Sequence, residues 1–338
     1  MSSTAAVYGC QSTELLSDEH SFFKDARPFG FILFARNVAD PAQVRALCQS
    51  LRAAIDDPGA PIFIDQEGGR VARLKPPHWR ERPRARRFGE LYDGDPELGR
   101  EAAYLCARLI AHELAILGIT VNCAPVLDVP AAGSHEIIGD RAFSADPATV
   151  IALGRAQIEG YLDGGVLPVI KHIPGHGRAE ADSHLALPRV DASVDALSAH
   201  DFVTFRSLCD APIAMTAHVV YQAIDPQRPA TTSPKLVRDV IRGEIGFKGL
   251  LVSDDLSMSA LEGPLSTRTK AALFAGCDIV LHCNGRFDEM KAVAKEAKPL
   301  AGDALFRAQG ALAHLHPPVE LDFALAEERL MKMLGAVA

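Results

Sequence analysis

The residues best suited to chemistry lie together in one short stretch, Lys171 to His184, which reads K-H-I-P-G-H-G-R-A-E-A-D-S-H. It holds three histidines, a lysine and two acids, while two glycines and a proline keep it from forming a helix. Within it, Asp182-Ser183-His184 sets a carboxylate beside an imidazole, an arrangement that tunes a histidine as a general acid or base. The same tripeptide also occurs in solvated turns, so the hypothesis of acid–base chemistry depends on the residues around it.

Acidic residues stand at two further places where apolar runs end. Asp254 and Asp255 terminate the run Gly249–Val252. One of the two can cap the helix that follows, as aspartate does well, which leaves the other free to act as a nucleophile or a metal ligand. Asp65 precedes Gly68-Gly69, a combination that suits hydrogen bonds to a polyhydroxylated ligand which the backbone approaches closely.

Basic residues are concentrated between Arg70 and Arg87, a segment with eight of them and a single acid. Most runs of this kind form solvated faces of a protein. We therefore expect a mainly solvated segment, with contact to an anionic part of a ligand as the alternative.

The elements that must position these residues follow a recurring unit of a short apolar strand, a loop and an amphipathic helix. Eight strands are predicted, at Ala5–Tyr8, Phe31–Phe34, Pro61–Ile64, Thr120–Cys123, Leu167–Ile170, Ile213–Ala217, Gly249–Val252 and Asp278–His282. The clearest helices are predicted at Pro41–Ile55, Pro96–Leu117, Pro147–Leu162, Asp195–Leu208, Pro234–Arg242 and Arg268–Ala275. Continuously apolar strands alternating with helices indicate a parallel sheet covered by helices. Eight such units favour a single-domain (β/α)8 barrel of the TIM type over an open doubly wound sheet.

A barrel of this type carries its active site at the C-terminal ends of the strands, so unusual polar residues should follow the strands. They do so after nearly every predicted strand, at Arg36-Asn37, Asp65 to Arg70, Asp128, Arg141, Lys171-His172, His218, Ser253 to Asp255 and His282. No G-x-G-x-x-G motif follows the first strand, which weakens the dinucleotide-binding alternative.

The composition narrows the class of protein and its partners. The chain has 338 residues, 48% of them hydrophobic, and a net charge of -8, which argues against a nucleic-acid or membrane-surface partner. Its seven scattered cysteines include no C-x-x-C pair, as suits a reducing compartment. We see neither a signal peptide nor a membrane span. We therefore expect a cytoplasmic protein acting on a small-molecule substrate, with residues 1–338 in one catalytic domain and C-terminal helices from about 302 onwards packed on the barrel.

Two classes of enzyme fit these residues. The first is a glycosidase that uses Asp254 as its nucleophile and a separate proton donor. The second is a metal-dependent barrel hydrolase of the amidohydrolase kind, with ligands drawn from His172, His176, His184, His218 and an aspartate. The second class normally has an H-x-H pair after an early strand, and neither of the first two predicted strands is followed by one. A sugar-binding barrel without activity is a more distant alternative.

Six separated motifs carry a resemblance to a known family. They are I-L-F-A-R-N (32–37), I-D-Q-E-G-G-R-V (64–71), N-C-A-P-V-L-D-V (122–129), G-D-R-A-F (139–143), K-H-I-P-G-H-G…D-S-H…L-P (171–188) and V-S-D-D-L-S-M (252–258). In this order they resemble glycoside hydrolase family 3, and within it the single-domain bacterial β-N-acetylglucosaminidases. The resemblance extends from about Gly9 to Cys283.

This resemblance implies a retaining mechanism in which Asp254 is the nucleophile, His184 the general acid and base, and Asp182 the partner that orients His184. It also implies a set of sugar-binding residues, namely Asp65, Arg141, Lys171 and His172, and no metal or other cofactor. The implied substrate is terminal β-linked N-acetylglucosamine on a cell-wall turnover product, N-acetylglucosaminyl-1,6-anhydro-N-acetylmuramic acid, with or without its peptide. We further expect the loop 174–187 to be mobile without ligand and to close over the sugar.

Overall fold

A closed barrel of eight parallel strands forms the centre of the computed structural model, which describes residues 3–131, 138–179 and 187–335. The strands of this described part are β1 (Thr4–Gly9), β2 (Pro28–Leu33), β3 (Ile62–Ile64), β4 (Val121–Asn122), β5 (Leu167–Ile173), β6 (Arg189–Val190), β7 (Ile213–Thr216), β8 (Val220–Tyr221), β9 (Leu250–Asp255) and β10 (Ile279–His282). Strands β6 and β8 pair in a small parallel ribbon of their own. Each of the others pairs with the next barrel strand along the chain, and β10 closes the barrel on β1, with Tyr8 opposite His282.

Helices surround the barrel and follow its strands. They are α1 (Ser17–Ala26), α2 (Pro41–Ala54), α3 (Ala85–Gly94), α4 (Pro96–Ala115), α5 (Pro147–Asp163), α6 (Val194–Ala196), α7 (Phe202–Ser207), α8 (Leu265–Ala275), α9 (Phe287–Ala294), α10 (Gly302–Leu312) and α11 (Phe323–Gly335). Two π-helical stretches add to them, Leu197–Asp201 between α6 and α7, and Leu236–Glu244 before β9. No helix in the described ranges combines the length and the apolar composition that crossing a membrane requires.

The predicted (β/α)8 fold is confirmed, and each predicted strand corresponds to a strand of the barrel. Helices α4 and α5 begin where the Asp-Pro pairs predicted, because Asp95 and Asp146 accept hydrogen bonds from the backbone N–H groups of the first turn. The helix predicted at Asp195–Leu208 is instead broken into α6, the π-helical stretch and α7. The strand β5 continues three residues beyond its predicted end, to Ile173.

Two apolar layers follow from the alternation of side chains along the strands. Residues such as Val7, Phe63 and Val169 point into the barrel and form one buried cluster. Their neighbours, such as Tyr8 and Ile64, face the helices and form a second, larger cluster. The barrel interior is therefore filled, and a ligand can enter only at an end.

The last two helices pack on different elements of the fold. Helix α10 contributes Ala308 and Ala311 to the interior cluster, and its Arg307 donates to Asp278 at the start of β10 at 2.7 Å. Helix α11 packs on α4, and its Glu327 accepts a 2.9 Å hydrogen bond from the buried Arg82, which also pairs with Glu113 of α4. The N-terminal end of the barrel is thus covered, while the C-terminal ends of the strands remain for a site.

Candidate active site

A cavity of about 250 Å³ opens at the C-terminal ends of the strands. Apolar side chains and charged side chains both line it. The lining residues are Ile32, Phe34, Asp65, Glu67, Arg70, Val71, Arg73, Ile138, Arg141, Lys171, His172, His176, Met215, Asp254, Asp255, Met258, Leu281 and Cys283. Such a concave site with a few convergent polar groups is typical of a small-molecule site.

Irregular pairing at two strand ends brings consecutive residues to this cavity. The pairing of β5 with β7 shifts register between Lys171 and Ile173, and the pairing of β9 with β10 shifts before Asp255. Along a regular strand, successive side chains point to opposite faces, and a bulge changes that direction locally. Lys171 and His172 consequently both line the cavity, as do Asp254 and Asp255.

The ammonium group of Lys171 lies at the centre of a charge network, with only 2% of its side chain exposed. Its Nζ contacts Asp65 Oδ1 at 2.9 Å and Glu67 Oε1 at 2.6 Å. Arg141 donates through two nitrogens to the two carboxylate oxygens of Glu67, at 2.8 and 2.9 Å. Arg73 donates from Nη2 to Asp65 Oδ2 at 2.9 Å. Each carboxylate is therefore held between Lys171 and an arginine, which fixes its orientation.

The pKa values of this network favour full ionisation. Burial by itself would raise the pKa of Asp65, but Lys171 and Arg73 outweigh burial and lower it. Glu67 behaves in the same way beside Arg141 and Lys171, and its pKa is lowered. Burial would lower the pKa of Lys171, yet the two carboxylates raise it above its usual value. The network therefore presents fixed charges and strong hydrogen-bonding groups to the cavity at neutral pH.

A second group is organised by Asp128, which is completely buried in the loop after β4. Its Oδ2 lies 2.7 Å from His172 Nδ1, and its Oδ1 accepts from the backbone N–H groups of His172 and His176 at 3.1 and 2.7 Å. Nδ1 of His172 therefore donates its hydrogen to Asp128, which fixes the orientation of the ring. Burial and the neighbouring His172 lower the pKa of His176 to about 4.

The two adjacent aspartates of β9 have different surroundings. Asp255 accepts from the backbone N–H and the hydroxyl of Ser257, at 3.0 and 2.6 Å, and from the backbone N–H of Cys283 at 3.1 Å. It therefore ties the turn after β9 to the end of β10. Asp254 Oδ1 accepts the backbone N–H of Asp255 at 2.8 Å. Burial would raise the pKa of Asp254, but the imidazoles of His218 and His172 in their protonated forms, this N–H and the ammonium group of Lys171 together outweigh burial and lower it.

The structure brings together five of the seven site residues that the sequence analysis names. They line one cavity and are Asp65, Arg141, Lys171, His172 and Asp254. The other two, Asp182 and His184, lie outside the described residues, as does half of the loop that we expect to close.

The sequence analysis assigned no role to three residues that organise this site, Glu67, Arg73 and Asp128, although it placed Glu67 and Asp128 among the polar residues that follow strands. Two motifs contain the acids, I-D-Q-E-G-G-R-V and N-C-A-P-V-L-D-V, but a motif does not tell which cations its carboxylates meet. Arg73 lies in the basic segment 70–87, which is only half solvated, as four of its eight basic residues are exposed. The expectation of a mainly solvated segment was therefore wrong for Arg73, Arg82, Arg86 and Arg87.

Two of the four histidines considered as metal ligands, His172 and His218, are engaged in other contacts, and His184 lies outside the described residues. His172 binds Asp128, and His218 lies between Thr231 and the backbone of Asp255. Across residues 3–131, 138–179 and 187–335, no group of three or more His, Cys, Asp and Glu side chains is arranged to hold a metal ion.

Comparisons with known protein families, sequences and structures agree with one another. The family described as Glycosyl hydrolase family 3 N terminal domain matches residues 12–307. A protein of Alkalilimnicola ehrlichii named Beta-hexosaminidase is 44% identical over 82% of this chain and 80% of its own length. Two solved structures of NagZ from Neisseria gonorrhoeae cover 99% of both chains. The complex with N-trifluoroacetyl-D-glucosamine has a TM-score of 0.89 at 32% identity, and the complex with zinc ion 0.87 at 30%.

We predict that Lys171→Met destabilises the protein in a pH-dependent way. Removing the buried cation leaves Asp65 and Glu67 facing each other, at a cost of about 3 kcal/mol or more in the free energy of unfolding at pH 7. The lowered carboxyl pKa values stabilise the wild type above the unfolded pKa of about 4, and this contribution disappears as the pH falls further. Urea unfolding between pH 7 and pH 3 measures the difference.

The control for this experiment is Lys332→Met, which removes an exposed lysine paired with Glu328 on α11. Its effect should be small at every pH. A Lys171→Met penalty that is as large at pH 3 as at pH 7 would contradict the charge network as its cause.

Proposed function

The chain belongs to glycoside hydrolase family 3, and from this premise we propose that it is a retaining exo-β-N-acetylglucosaminidase. Its reaction removes terminal β-linked N-acetylglucosamine through a covalent glycosyl-aspartate intermediate. The observation that carries the proposal is the cavity in which the ionised Asp254 lies together with Asp65, Arg141, Lys171 and His172. The name of the Alkalilimnicola relative and the amino-sugar analogue bound to the Neisseria protein support the choice of sugar.

Asp254 is the proposed nucleophile, since its surroundings suit that role better than those of Asp255. Both carboxylate oxygens of Asp255 accept hydrogen bonds, from Ser257 and from the backbone of Cys283. Asp254 accepts one backbone N–H and lines the cavity. Its lowered pKa keeps it ionised, so that it can stabilise an oxocarbenium-like transition state and then bond to the anomeric carbon.

The charge network is the proposed binding site for the sugar hydroxyls and the acetamide. Asp65 and Glu67 accept hydrogen bonds, whereas Lys171, Arg73 and Arg141 donate them. A sugar hydroxyl can therefore either donate to a carboxylate or accept from a cation. Because each charge is already paired and oriented, little reorganisation is needed when the sugar binds. His172 adds the Nε2 atom of a ring whose orientation Asp128 fixes.

The proton donor in this proposal is His184, with Asp182 holding its ring. A histidine with an ordinary pKa of about 6.5 can both give and take a proton near neutrality. In a double displacement a single group must both give and take a proton, because it protonates the leaving oxygen and later deprotonates water. A nearby carboxylate stabilises the charged imidazole and favours the acid form.

The proposed substrate is N-acetylglucosaminyl-1,6-anhydro-N-acetylmuramic acid, with or without its peptide, and the proposed setting is peptidoglycan recycling in the cytoplasm. The whole chain, 1–338, would act as one catalytic domain in which no metal or cofactor takes part. The net charge of -8 and the wholly scattered cysteines agree with this setting.

We predict that Asp254→Asn lowers turnover by about 10⁴-fold while the protein stays folded, because the amide cannot form the glycosyl ester. Asp255→Asn should cost less than about tenfold, since its amide oxygen can still accept from Ser257 and Cys283. Trapping with a fluorinated N-acetylglucosaminide and peptide mapping identifies the labelled residue. A label on Asp255 would overturn the assignment.

We predict that His184→Ala impairs a disaccharide more than an aryl glycoside. A phenolate leaves with little protonation, whereas the alkoxide of a sugar needs the proton. Asp182→Ala should follow the same pattern more weakly, because the imidazole remains. The ratio of kcat/KM for the two substrates in each variant is the measurement, and equal losses on both would show that His184 does not act as the acid.

The metal-dependent hydrolase remains the second candidate, because a solved relative is in complex with zinc. We predict that dialysis against a chelator leaves the hydrolysis of an aryl β-N-acetylglucosaminide unchanged. Assaying the dialysed protein with and without added zinc is the test. Activity that is lost on dialysis and restored by zinc would favour the metal mechanism.

A further inference from the structure

His218 is a fully buried histidine beside the proposed nucleophile, and it is neither the nucleophile, nor the proton donor, nor one of the proposed sugar-binding residues. It lies in the loop after β7 and hydrogen bonds through both ring nitrogens. Nδ1 lies 2.7 Å from the hydroxyl oxygen of Thr231, and Nε2 lies 3.0 Å from the carbonyl oxygen of Asp255. Both partners are distant in sequence, so the barrel fold itself assembles this chain of contacts.

The partners determine where the imidazole carries its proton. A carbonyl oxygen only accepts, so Nε2 of His218 must carry a hydrogen. With its one hydrogen on Nε2, the neutral ring presents Nδ1 as an acceptor to the Thr231 hydroxyl, whose other acceptor is the Ala217 carbonyl oxygen 3.1 Å away. Burial lowers the pKa of His218 and so favours this neutral form. The oxygen of Thr231 lies 2.8 Å from the Thr216 hydroxyl, which can donate to it in turn. All three side chains are completely buried, so water does not compete for these hydrogen bonds.

The contact with Asp255 leads directly to the nucleophile. The carbonyl of Asp255 is held by His218, its carboxylate is held by Ser257 and Cys283, and its backbone N–H donates to Asp254 Oδ1 at 2.8 Å. Because the carbonyl and the carboxylate of Asp255 are both held, its backbone N–H points in one fixed direction. That direction sets the orientation of the Asp254 carboxylate.

We propose that His218 is a positioning residue for the nucleophile: as the neutral Nε2–H tautomer selected by Thr231, it fixes the backbone of Asp255 and thereby the carboxylate of Asp254. The proposal rests on the proposed function of Asp254. A cation at this place would pair with Asp254 and weaken its attack on the sugar. A neutral imidazole supplies the hydrogen bond without that cost.

The first experiment compares His218→Asn with His218→Gln. An asparagine amide reaches the position of Nδ1 and keeps the contact with Thr231, but it cannot reach Asp255. A glutamine amide reaches the position of Nε2 and can restore the donation to the carbonyl. Because small misplacements of a reacting group are costly, His218→Asn should slow covalent trapping of Asp254 by about 10²-fold, and His218→Gln should recover most of that loss.

The second readout is the affinity for N-acetylglucosamine as a competitive inhibitor. Asp65, Lys171 and Arg141 bind the sugar in our proposal, and none of them contacts His218 in the described structure. The dissociation constant should therefore change less than about threefold in both variants. A merely structural role for His218 would lower trapping and affinity together, and that outcome would overturn the proposal.

A matched pair at Thr231 tests the tautomer without changing the histidine. Thr231→Val removes the hydroxyl at nearly constant shape and should slow trapping about tenfold, because Nδ1 loses its donor. Thr231→Ser keeps the hydroxyl and should retain most of the rate that the valine loses. Thr269→Val is the control, since Thr269 is an equally buried threonine of α8 whose hydroxyl donates to Leu265 O, within its own helix. It should lose stability without slower trapping.

Nitrogen-15 NMR of the wild-type imidazole gives a measurement that needs no variant to fold. We expect a neutral Nε2–H ring near pH 7, and a charged or Nδ1–H ring would overturn the proposal. So would normal trapping in both His218→Asn and Thr231→Val. If the wild type carries no label on Asp254, the nucleophile assignment itself fails, which is distinguishable from a labelled wild type with unaffected variants.

Discussion

The arrangement of the site depends on one buried ammonium group. A cation with 2% of its side chain exposed is stable only when carboxylates compensate it, and Lys171 has Asp65 on one side and Glu67 on the other. Two carboxylates around one cation leave a negative charge, and Arg73 and Arg141 more than compensate it. The requirement to compensate one buried charge therefore brings together residues from β5 and from the loops after β3 and β4.

The proposed nucleophile is kept ionised in a different way. Among the described residues no ion pair engages Asp254, which instead has a backbone N–H and the nearby imidazoles of His218 and His172. A close ammonium or guanidinium would stabilise the carboxylate further but would also reduce its reactivity. The cavity thus contains two kinds of carboxylate, paired ones that suit binding and one held by weaker dipoles that suits attack.

Much of the fold and of the site could be predicted from the sequence, because apolar runs and the polar residues that end them are both local signals. Apolar runs with polar ends indicated all eight barrel strands, and the strand ends indicated Asp65, Lys171 and Asp254. The pairings could not be predicted, since Glu67 and Arg141 are 74 residues apart and meet only when the barrel closes. The helix predicted at Asp195–Leu208 was broken for a related reason. Its π-helical stretch ends at the buried Asp201, whose ion pair with Arg178 is a tertiary contact that no local pattern contains.

The closure of the barrel by β10 on β1 has a consequence for how the chain is made. While the ribosome is still synthesising residues before Ile279, the growing sheet ends in unpaired strands, and β1 offers a free edge to any other chain. Glu327 reaches the buried Arg82 later still, 245 residues after it. The nascent protein therefore passes through a long interval with an exposed strand edge, and Arg82 has only Glu113 as its ionic partner until Glu327 is made.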